Sequence, residues 1–262
     1  MRVSVWLTPP PRAPRVGFWE SGFFFDSLFP AIESQDTSRG IPGVESTDSF
    51  MTIREIAVGG FADVTFLEKG ESVNDKHFVE DLAKKEVDIM FSARFQQIFK
   101  QDVMDVPRLG IWNAHPGALP KYKGRDTDFH ALVSGEPELW MTIHEVTTGI
   151  DTGSIHSARS VKVEDGSSLL EHRLKLHEQA FELCISLVDE KIHGKEEQTL
   201  KSQEHNEAPY FTFPTPEELD DFETKGYKFA SERELQAMVD LFTQNNPLGS
   251  GYVGTTLEGV RA

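Results

Sequence analysis

The sequence predicts an α/β protein with a Rossmann-like, mostly parallel sheet and a small carboxyl-terminal extension. Short apolar runs alternate with helical patterns from residue 63 onward, which is typical of βαβ units. One of these runs, residues 87–91 (VDIMF), is apolar almost throughout, as expected of a parallel strand that helices cover on both faces. Ligands of such sheets bind beyond the carboxyl ends of the strands.

The order of the elements follows from apolar periodicity and from capping residues. Asn74 or Asp75 is expected to cap the first helix, and Ser231 with Glu234 matches a capping box. The longest helix has an apolar stripe that is expected to face the core. That stripe consists of Leu170, Leu174, His177, Phe181, Cys184 or Ile185, and Val188. The strands are predicted at residues 3–7, 64–67, 87–91, 110–112, 140–146 and 155–163, and the helices at residues 76–85, 95–103, 167–191, 217–222 and 231–242.

Two parts of the chain depart from this regular pattern. Residues 1–62 hold a Phe-rich stretch at 18–29, interpreted as a buried helix or a pocket wall, and a Gly/Ser/Thr/Pro-rich loop at 34–49. After residue 194 the composition becomes polar and acidic. We therefore expect one domain over residues 1–194, with a divergent part at 1–62, and an acidic extension over residues 195–262.

Composition and charge limit the classes of function. The chain has 262 residues, of which 38% are hydrophobic and 26% charged, so a real core is expected. The net charge of -17 argues against a nucleic-acid partner, because phosphate backbones are bound by clustered Lys and Arg. Cys184 is the single cysteine, which excludes an internal disulfide and a structural zinc cluster. No other metal-binding motif is visible, and we expect no metal.

No segment of the sequence suggests contact with a membrane. The apolar run at residues 3–7 is too short for a signal peptide, and no run approaches the length of a membrane span. The expectation is a cytoplasmic protein without a membrane partner.

Three reactive polar residues stand out between residues 110 and 155. Asn113 and His115 follow a predicted strand in the run NAHPGALPKYKG, and Asp151 begins a later Asp-Thr-Gly turn. Each residue alone is typical of a turn, where Asn, Asp and Gly collect for conformational reasons. Their joint order and spacing favour a site at the carboxyl end of a strand.

This pattern resembles the 10-formyltetrahydrofolate-dependent formyltransferase family, and its small-molecule or sugar N-formyltransferase branch in particular. The resemblance covers residues 63–190 well. It implies a formyltransferase-type fold, a catalytic domain at 1–194, 10-formyltetrahydrofolate as co-substrate and a catalytic set of Asn113, His115 and Asp151. The reaction passes a formyl group to a primary amine through a tetrahedral intermediate.

The three residue types suit that chemistry. The Asn113 amide can donate a hydrogen bond to the developing oxyanion, and His115 can stabilise the same charge or move a proton. The Asp151 carboxylate can raise the pKa of His115, accept a proton or orient a water molecule.

The resemblance also implies two binding regions. The pterin would lie in a slot between the loop after the third predicted strand and the loop before Asp151, formed by Phe91, Ser92, Ala93, Arg94, Phe95, Val146, Thr147, Gly149 and Ile150. The acceptor loop would contribute Gly117, Lys121, Tyr122, Lys123 and Arg125. Its three cations are interpreted as solvated surface charge or as a site for a phosphate or carboxylate. Gly117 stands where the family usually has Ser, which suggests a different acceptor.

The acceptor is expected to be a small-molecule amine, first of all a nucleotide-linked amino sugar. Residues 195–262 are shorter than the RNA-binding domain of the initiator-tRNA branch, and acidic. Prolines replace the glycine-rich loop of the glycinamide ribonucleotide branch after the first strand. The alternatives are another small amine (a modified amino acid or glycinamide ribonucleotide), a 10-formyltetrahydrofolate hydrolase and a non-catalytic folate-binding protein. A homodimer is compatible with each of them.

Overall fold

The structure is a computed structural model, and it describes residues 2–7, 16–21, 63–67, 71–95, 97–193, 200–203 and 208–234. The strands are β1 (Arg2–Leu7), β2 (Val16–Ser21), β3 (Asp63–Leu67), β4 (Ile89–Ala93), β5 (Ile111–His115), β6 (Lys123–Gly124), β7 (Glu138–Glu145), β8 (Ile155–Lys162) and β9 (Tyr210–Phe211). The helices are α1 (Lys76–Lys84), α2 (Gln101–Met104), α3 (Thr127–Val133), α4 (Leu169–His193) and α5 (Pro216–Thr224).

Seven strands form the main sheet, in the order β3-β1-β2-β4-β5-β7-β8. The pairs β2–β4 and β4–β5 are parallel, and the other four pairs are antiparallel. Because β1 and β7 alone run against the rest, five of these seven strands share one direction. The predicted α/β fold with a mostly parallel sheet is confirmed.

Two apolar clusters cover the two faces of the sheet's centre. Ile89 and Phe91 of β4 belong to the cluster that α3 and α4 complete. Met90, the residue between them, belongs to the other cluster, where it meets Phe78 and Leu82 of α1. Alternate side chains of a strand point to opposite faces, so burial on both sides produces the apolar run seen in the sequence.

The amino-terminal strand β2 was not predicted. It contains Phe18, pairs antiparallel with β1 and runs parallel to β4, so it lies between the two. The interpretation of residues 18–29 as a helix is therefore wrong at its start. The rest of that stretch and the predicted loop at 34–49 lie outside the described residues.

The helix predicted at residues 95–103 is wrong over most of its length. Only α2 is helical there, because the preceding segment bonds to a distant loop instead of to its own turns. Gln97 accepts hydrogen bonds from Ser72 and Val73, and the Asn74 side chain bonds to Ile98 O and to the backbone N–H of Lys100. The Ile98 carbonyl and the Lys100 N–H are thus bound to Asn74 and not to the backbone of a helix. They also engage the Asn74 side chain, while Asp75 takes the N-cap position without a side-chain capping bond.

The apolar stripe predicted on the longest helix is displaced by about one residue. Leu174, Phe181 and Ile185 are 38%, 50% and 43% exposed. Apolar residues occupy two neighbouring rows of α4, and periodicity alone does not choose between them. Contact with β7 and β8 selects the row of Leu169, Leu176, Ala180, Leu183 and Leu187, which is buried. Cys184 is buried beside this row, and burial raises the pKa of its thiol to about 12.

The carboxyl-terminal segment packs into the same core. Phe222 of α5 is fully buried and stacks on Phe129 of α3, with ring centroids 5.0 Å apart. Thr215 and Glu218 form a capping box at the start of α5, and Ser231 and Glu234 form the predicted one. The helix expected after Ser231 lies mostly outside the described residues, and the domain boundary at residue 194 stays a prediction. None of the described helices is both long enough and apolar enough to span a bilayer.

Candidate active site

A pocket of about 610 Å³ opens at the carboxyl ends of β4 and β5. Asn113 and His115 lie inside β5, in its last three residues, and both line this pocket. The strand is longer than predicted, so the two side chains stand on a rigid element. Because residues i and i+2 of a strand point to the same face, both reach the pocket.

Asp151 reaches the pocket on the loop that joins β7 to β8. The loop returns close to β7 at Gly153, where an added Cβ would lie 2.0 Å from Glu145 O. Asp151 itself has a left-handed backbone, with φ of 52°. Such strained conformations in non-glycine residues concentrate at functional sites. The Asp-Thr-Gly turn thus positions a carboxylate against the end of β5.

The structure brings the three predicted residues together with a fourth, His144. Asp151 Oδ2 lies 3.6 Å from His115 Nδ1, and Asp151 Oδ1 lies 3.5 Å from His144 Nε2. Asn113 Nδ2 lies 3.2 Å from the same His144 nitrogen. The His144 ring thus contacts both the predicted oxyanion donor Asn113 and the Asp151 carboxylate.

Backbone carbonyls decide which ring nitrogens carry protons. His115 Nε2 lies 2.7 Å from Tyr122 O, and His144 Nδ1 lies 2.8 Å from Glu145 O. A carbonyl oxygen only accepts, so each of these nitrogens donates its N–H. In the neutral rings the other nitrogens, His115 Nδ1 and His144 Nε2, then bear lone pairs. The Asn113 amide donates one N–H to His144, and no other partner of this side chain occurs among the described residues.

Burial dominates the acid–base properties of the cluster. His115 is 3% exposed, and this burial lowers its pKa below 6.5 despite the opposing charge of Asp151. Asp151 raises the pKa of His115, as expected, but this effect is smaller than that of burial. Burial would raise the pKa of Asp151, but the two histidines and the Gly124 N–H lower it to about 2. A neutral His115 therefore faces an ionised carboxylate at neutral pH.

The predicted acceptor loop supports the cluster through its backbone. The Gly124 N–H donates to Asp151 Oδ2 at 2.8 Å, and Tyr122 O accepts from His115. At Gly117 an added Cβ would lie 2.7 Å from His115 Nε2 and from Tyr122 O. The glycine at this position is explained by that close approach, without reference to the acceptor.

Most residues of the predicted pterin slot line the pocket. Phe91 does not, since it is fully buried in the core, and Ala93 packs against the same core. Both belong to β4, which ends two residues later than predicted. The residues that line the pocket are Ser92, Arg94, Phe95, Val146, Thr147, Gly149 and Ile150.

Among the predicted acceptor residues, Arg125 alone lines the pocket. It lies over the ring of Phe213 at 4.6 Å. Lys121 forms an ion pair with Glu136, and the Tyr122 hydroxyl donates to the same carboxylate at 2.9 Å. Lys123 pairs through its backbone in β6. For Lys121 the interpretation as surface charge is supported, because it is 65% exposed in its side chain.

A buried charge cluster that the sequence did not reveal forms part of the pocket wall. Arg173 of α4 binds both oxygens of Asp128 at 2.6 and 3.0 Å and Asp126 Oδ1 at 3.0 Å. Arg94 lies 3.4 Å from the same Asp126 oxygen. Burial would raise the pKa of Asp128, but Arg173 and Arg94 hold it well below its usual value. We call these four residues the charge quartet. They come from three segments that are far apart in sequence, so no local sequence pattern predicts that they meet.

Aromatic side chains from the carboxyl-terminal segment complete the wall. Tyr210 and Phe213 are about half exposed and line the pocket beside Arg125. They reach it because β9 pairs in parallel with β6, Lys123 with Tyr210 and Gly124 with Phe211. The contact of these aromatic residues with the acceptor loop could not be predicted, because it depends on a pairing between segments far apart in sequence.

The α/β fold holds Asn113 and His115 at the end of β5 and Asp151 on the β7–β8 loop, an arrangement that can support chemistry at a carbonyl carbon. Comparison with known families specifies the class. A family model described as formyl transferase matches residues 52–188, about half of the chain. The chain belongs to the formyl transferase family, as its motifs suggested.

Curated relatives share part of their length with this chain. It is 30% identical over 163 residues to methionyl-tRNA formyltransferase of Thermotoga maritima, which covers 62% of this chain and 51% of that protein. It is 36% identical over 95 residues to the bifunctional polymyxin resistance protein ArnA of Wigglesworthia glossinidia brevipalpis. The match covers 36% of this chain and 14% of that protein. The chain thus spans about half the length of these relatives, or less.

Solved structures with a similar arrangement include the formyltransferase PseJ from Anoxybacillus kamchatkensis, in complex with a UDP-linked formamido sugar and tetrahydrofolate. The similarity has a TM-score of 0.47 at 21% identity and covers 65% of this chain and 82% of that one.

Proposed function

We propose that this protein transfers a formyl group from 10-formyltetrahydrofolate to the primary amine of a small molecule. The observation that carries the proposal is the convergence of Asn113, His115 and Asp151 in one pocket of a chain that belongs to the formyl transferase family. The roles of the three side chains follow from their protons and charges.

His115 is suited to move the proton of the reaction. Its Nδ1 bears a lone pair in the neutral ring and accepts the proton that the attacking amine loses. The imidazolium that results lies 3.6 Å from the ionised Asp151 carboxylate, which stabilises it. His115 then returns the proton to the nitrogen that leaves the formyl carbon.

Asn113 is suited to stabilise the oxygen of the formyl group as it gains negative charge. One amide N–H is used on His144, which fixes the plane of the side chain. The second N–H is available for the oxyanion. A donor of this kind contributes about 3 kcal/mol, or roughly a hundredfold in rate.

The acceptor that we propose first is a nucleotide-linked amino sugar. Arg125, Phe213 and Tyr210 offer a cation and two partly exposed rings on one side of the pocket. Aromatic and guanidinium surfaces of this kind stack on nucleobases. The net charge of -17 disfavours a long nucleic acid, although one curated relative is a methionyl-tRNA formyltransferase. Another small amine is the alternative.

The test follows the absorbance change that accompanies tetrahydrofolate release from 10-formyltetrahydrofolate. The panel contains nucleotide-linked amino sugars, simple amines, glycinamide ribonucleotide and aminoacylated initiator tRNA, together with an amine-free control. Variants with Asn113→Ala, His115→Ala and Asp151→Ala are compared with His77→Ala, a change on the exposed face of α1.

We expect release that requires one amine class, falls at least a hundredfold in each of the three site variants and is unchanged in His77→Ala. Equal release without any amine would identify a hydrolase instead. Near-normal activity of His115→Ala would refute the proposed proton transfer, and activity with tRNA alone would refute the small-molecule acceptor.

A further inference from the structure

Three lone-pair donors converge at the bottom of the pocket. His115 Nδ1, His144 Nε2 and an Asp151 oxygen all lie within 4.8 Å of one another. Among the described residues this is the one group of three or more His, Cys, Asp or Glu side chains close enough to share an ion. Because Tyr122 O and Glu145 O accept from the opposite ring nitrogens, His115 Nδ1 and His144 Nε2 both face the Asp151 carboxylate.

The spacing of the three atoms matches the coordination of a small divalent cation. Zinc bonds of 2.0–2.1 Å to nitrogen and oxygen imply ligand-to-ligand separations of about 3.3 Å in a tetrahedron. The two separations that involve Asp151 are 3.5 and 3.6 Å. The third separation, between His115 Nδ1 and His144 Nε2, is at most 4.8 Å. Two histidines and one carboxylate also leave one coordination position open, as in catalytic zinc sites.

The surroundings of the two rings are those of metal-binding histidines. Such residues donate the second ring N–H to a carbonyl or carboxylate, which fixes the tautomer and the ring plane. Here Tyr122 O holds His115 and Glu145 O holds His144. The Gly124 N–H in turn holds Asp151. All three ligands are therefore oriented before an ion arrives, and the two rings are nearly fully buried.

We propose that His115, His144 and Asp151 bind a divalent transition-metal ion of the zinc type, and that this ion and the formyl donor exclude one another. The two imidazole ligands favour zinc, copper, nickel or iron over magnesium and calcium. The ion takes the lone pair of His115, separates Asn113 from His144 and fills the position that the formyl group needs. The sequence carries no metal motif because these ligands are 7 to 36 residues apart.

Metal binding is tested with Zn²⁺ and Co²⁺ alone, on the 262-residue chain and without turnover, so this part is independent of the proposed function. A competition with 5-formyltetrahydrofolate, which rests on the proposed function, is a separate part of the test. Calorimetry measures the Zn²⁺ affinity, and visible absorbance of bound Co²⁺ reports whether the coordination is tetrahedral. His144→Ala and Asp151→Asn remove one ligand each, and His77→Ala removes an exposed histidine elsewhere. Thermal unfolding shows that each variant is folded.

We expect one Zn²⁺ per chain at the site, a tetrahedral Co²⁺ spectrum, and affinity at least tenfold lower in each ligand variant but unchanged in His77→Ala. Saturating 5-formyltetrahydrofolate is expected to weaken Zn²⁺ binding at least tenfold. Affinity that survives both ligand variants would place any bound ion elsewhere and overturn the proposal, as would simultaneous binding of ion and folate. If one variant is unfolded, the other and the folate competition decide.

Discussion

At the scale of single residues, the site depends on a close approach at Gly117. Its missing side chain leaves room for the hydrogen bond between His115 Nε2 and Tyr122 O, since an added Cβ would lie 2.7 Å from both atoms. The glycine thereby fixes the tautomer on which the chemistry of His115 depends. Conformational freedom is not its role here.

Gly117→Ala is therefore expected to reduce turnover at least tenfold and to lower stability by about 1–3 kcal/mol, as overpacking does. Steady-state kinetics and urea unfolding measure the two effects. Ala118→Ser, the same kind of small change one residue later, serves as the control. Equal activity of the two variants would contradict the proposed steric role.

His177 on α4 provides a pH-dependent contribution to stability. Burial lowers its pKa to about 4, with Arg94 and Arg173 acting in the same direction and the Arg173 carbonyl and Asp128 against it. An unfolded histidine titrates near 6.5. Between these two pKa values the unfolded chain binds more protons at this residue than the folded chain. The free energy of unfolding therefore falls as pH decreases from about 6.5 to 4.

The decrease assigned to His177 is on the order of 3 kcal/mol. His177→Asn lacks the titrating imidazole and therefore this decrease. The difference in the free energy of unfolding between wild type and variant must then change between about pH 6.5 and 4. Urea unfolding at several pH values from 7 to 4.5 measures it. Parallel curves for the two proteins would show that His177 does not titrate in this way.

At the scale of elements, the charge quartet joins three parts of the pocket wall: the end of β4, the start of α3 and the first turns of α4. Asp126 at the N-cap position of α3 has a left-handed backbone and makes no capping bond. Its carboxylate binds the two arginines instead. The helix start is thus positioned by an ion pair with α4 rather than by its own cap.

Replacing Arg173 by Met leaves the buried Asp128 and the partly buried Asp126 without their main partner. This change is expected to cost about 3–5 kcal/mol in the free energy of unfolding. The control is Arg159→Met, which removes an exposed pair with Glu182 and is expected to cost less than about 1 kcal/mol. Denaturant unfolding of both variants makes the comparison. Similar losses in the free energy of unfolding for the two variants would mean that the charge quartet stabilises the fold no more than an exposed ion pair does.

At the scale of the whole molecule, one core includes residues that are far apart in sequence. Phe222 stacks on Phe129 and lies 4.6 Å from the ring of Phe229. Phe222→Ala is expected to destabilise the protein by about 3–5 kcal/mol in a single cooperative transition. Phe181→Ala, on the exposed row of α4, is expected to cost under about 1 kcal/mol. A separate, earlier unfolding step in Phe222→Ala would show that the carboxyl-terminal segment folds independently.

The sequence predicted those features that local patterns encode. The central strands, the long helix and the reactive Asn113, His115 and Asp151 were recognisable because period, order and spacing are properties of neighbouring residues. The charge quartet and the role of His144 were not, since their partners meet only after the sheet has formed. The buried row of α4 was mistaken for its neighbour because both rows are apolar. The homodimer stays a prediction.

The pairing of β6 with β9 has a consequence for synthesis of the protein. Gly124, whose N–H holds the Asp151 carboxylate, pairs with Phe211, 87 positions later in the chain. Ribosomes add about 5–20 residues per second, so Phe211 is synthesised roughly 4 to 17 s after Gly124. A chain that ends before residue 211 would lack both this pairing and Phe222, whose side chain belongs to the core. We therefore expect such a truncated chain to form neither a stable sheet nor a complete site.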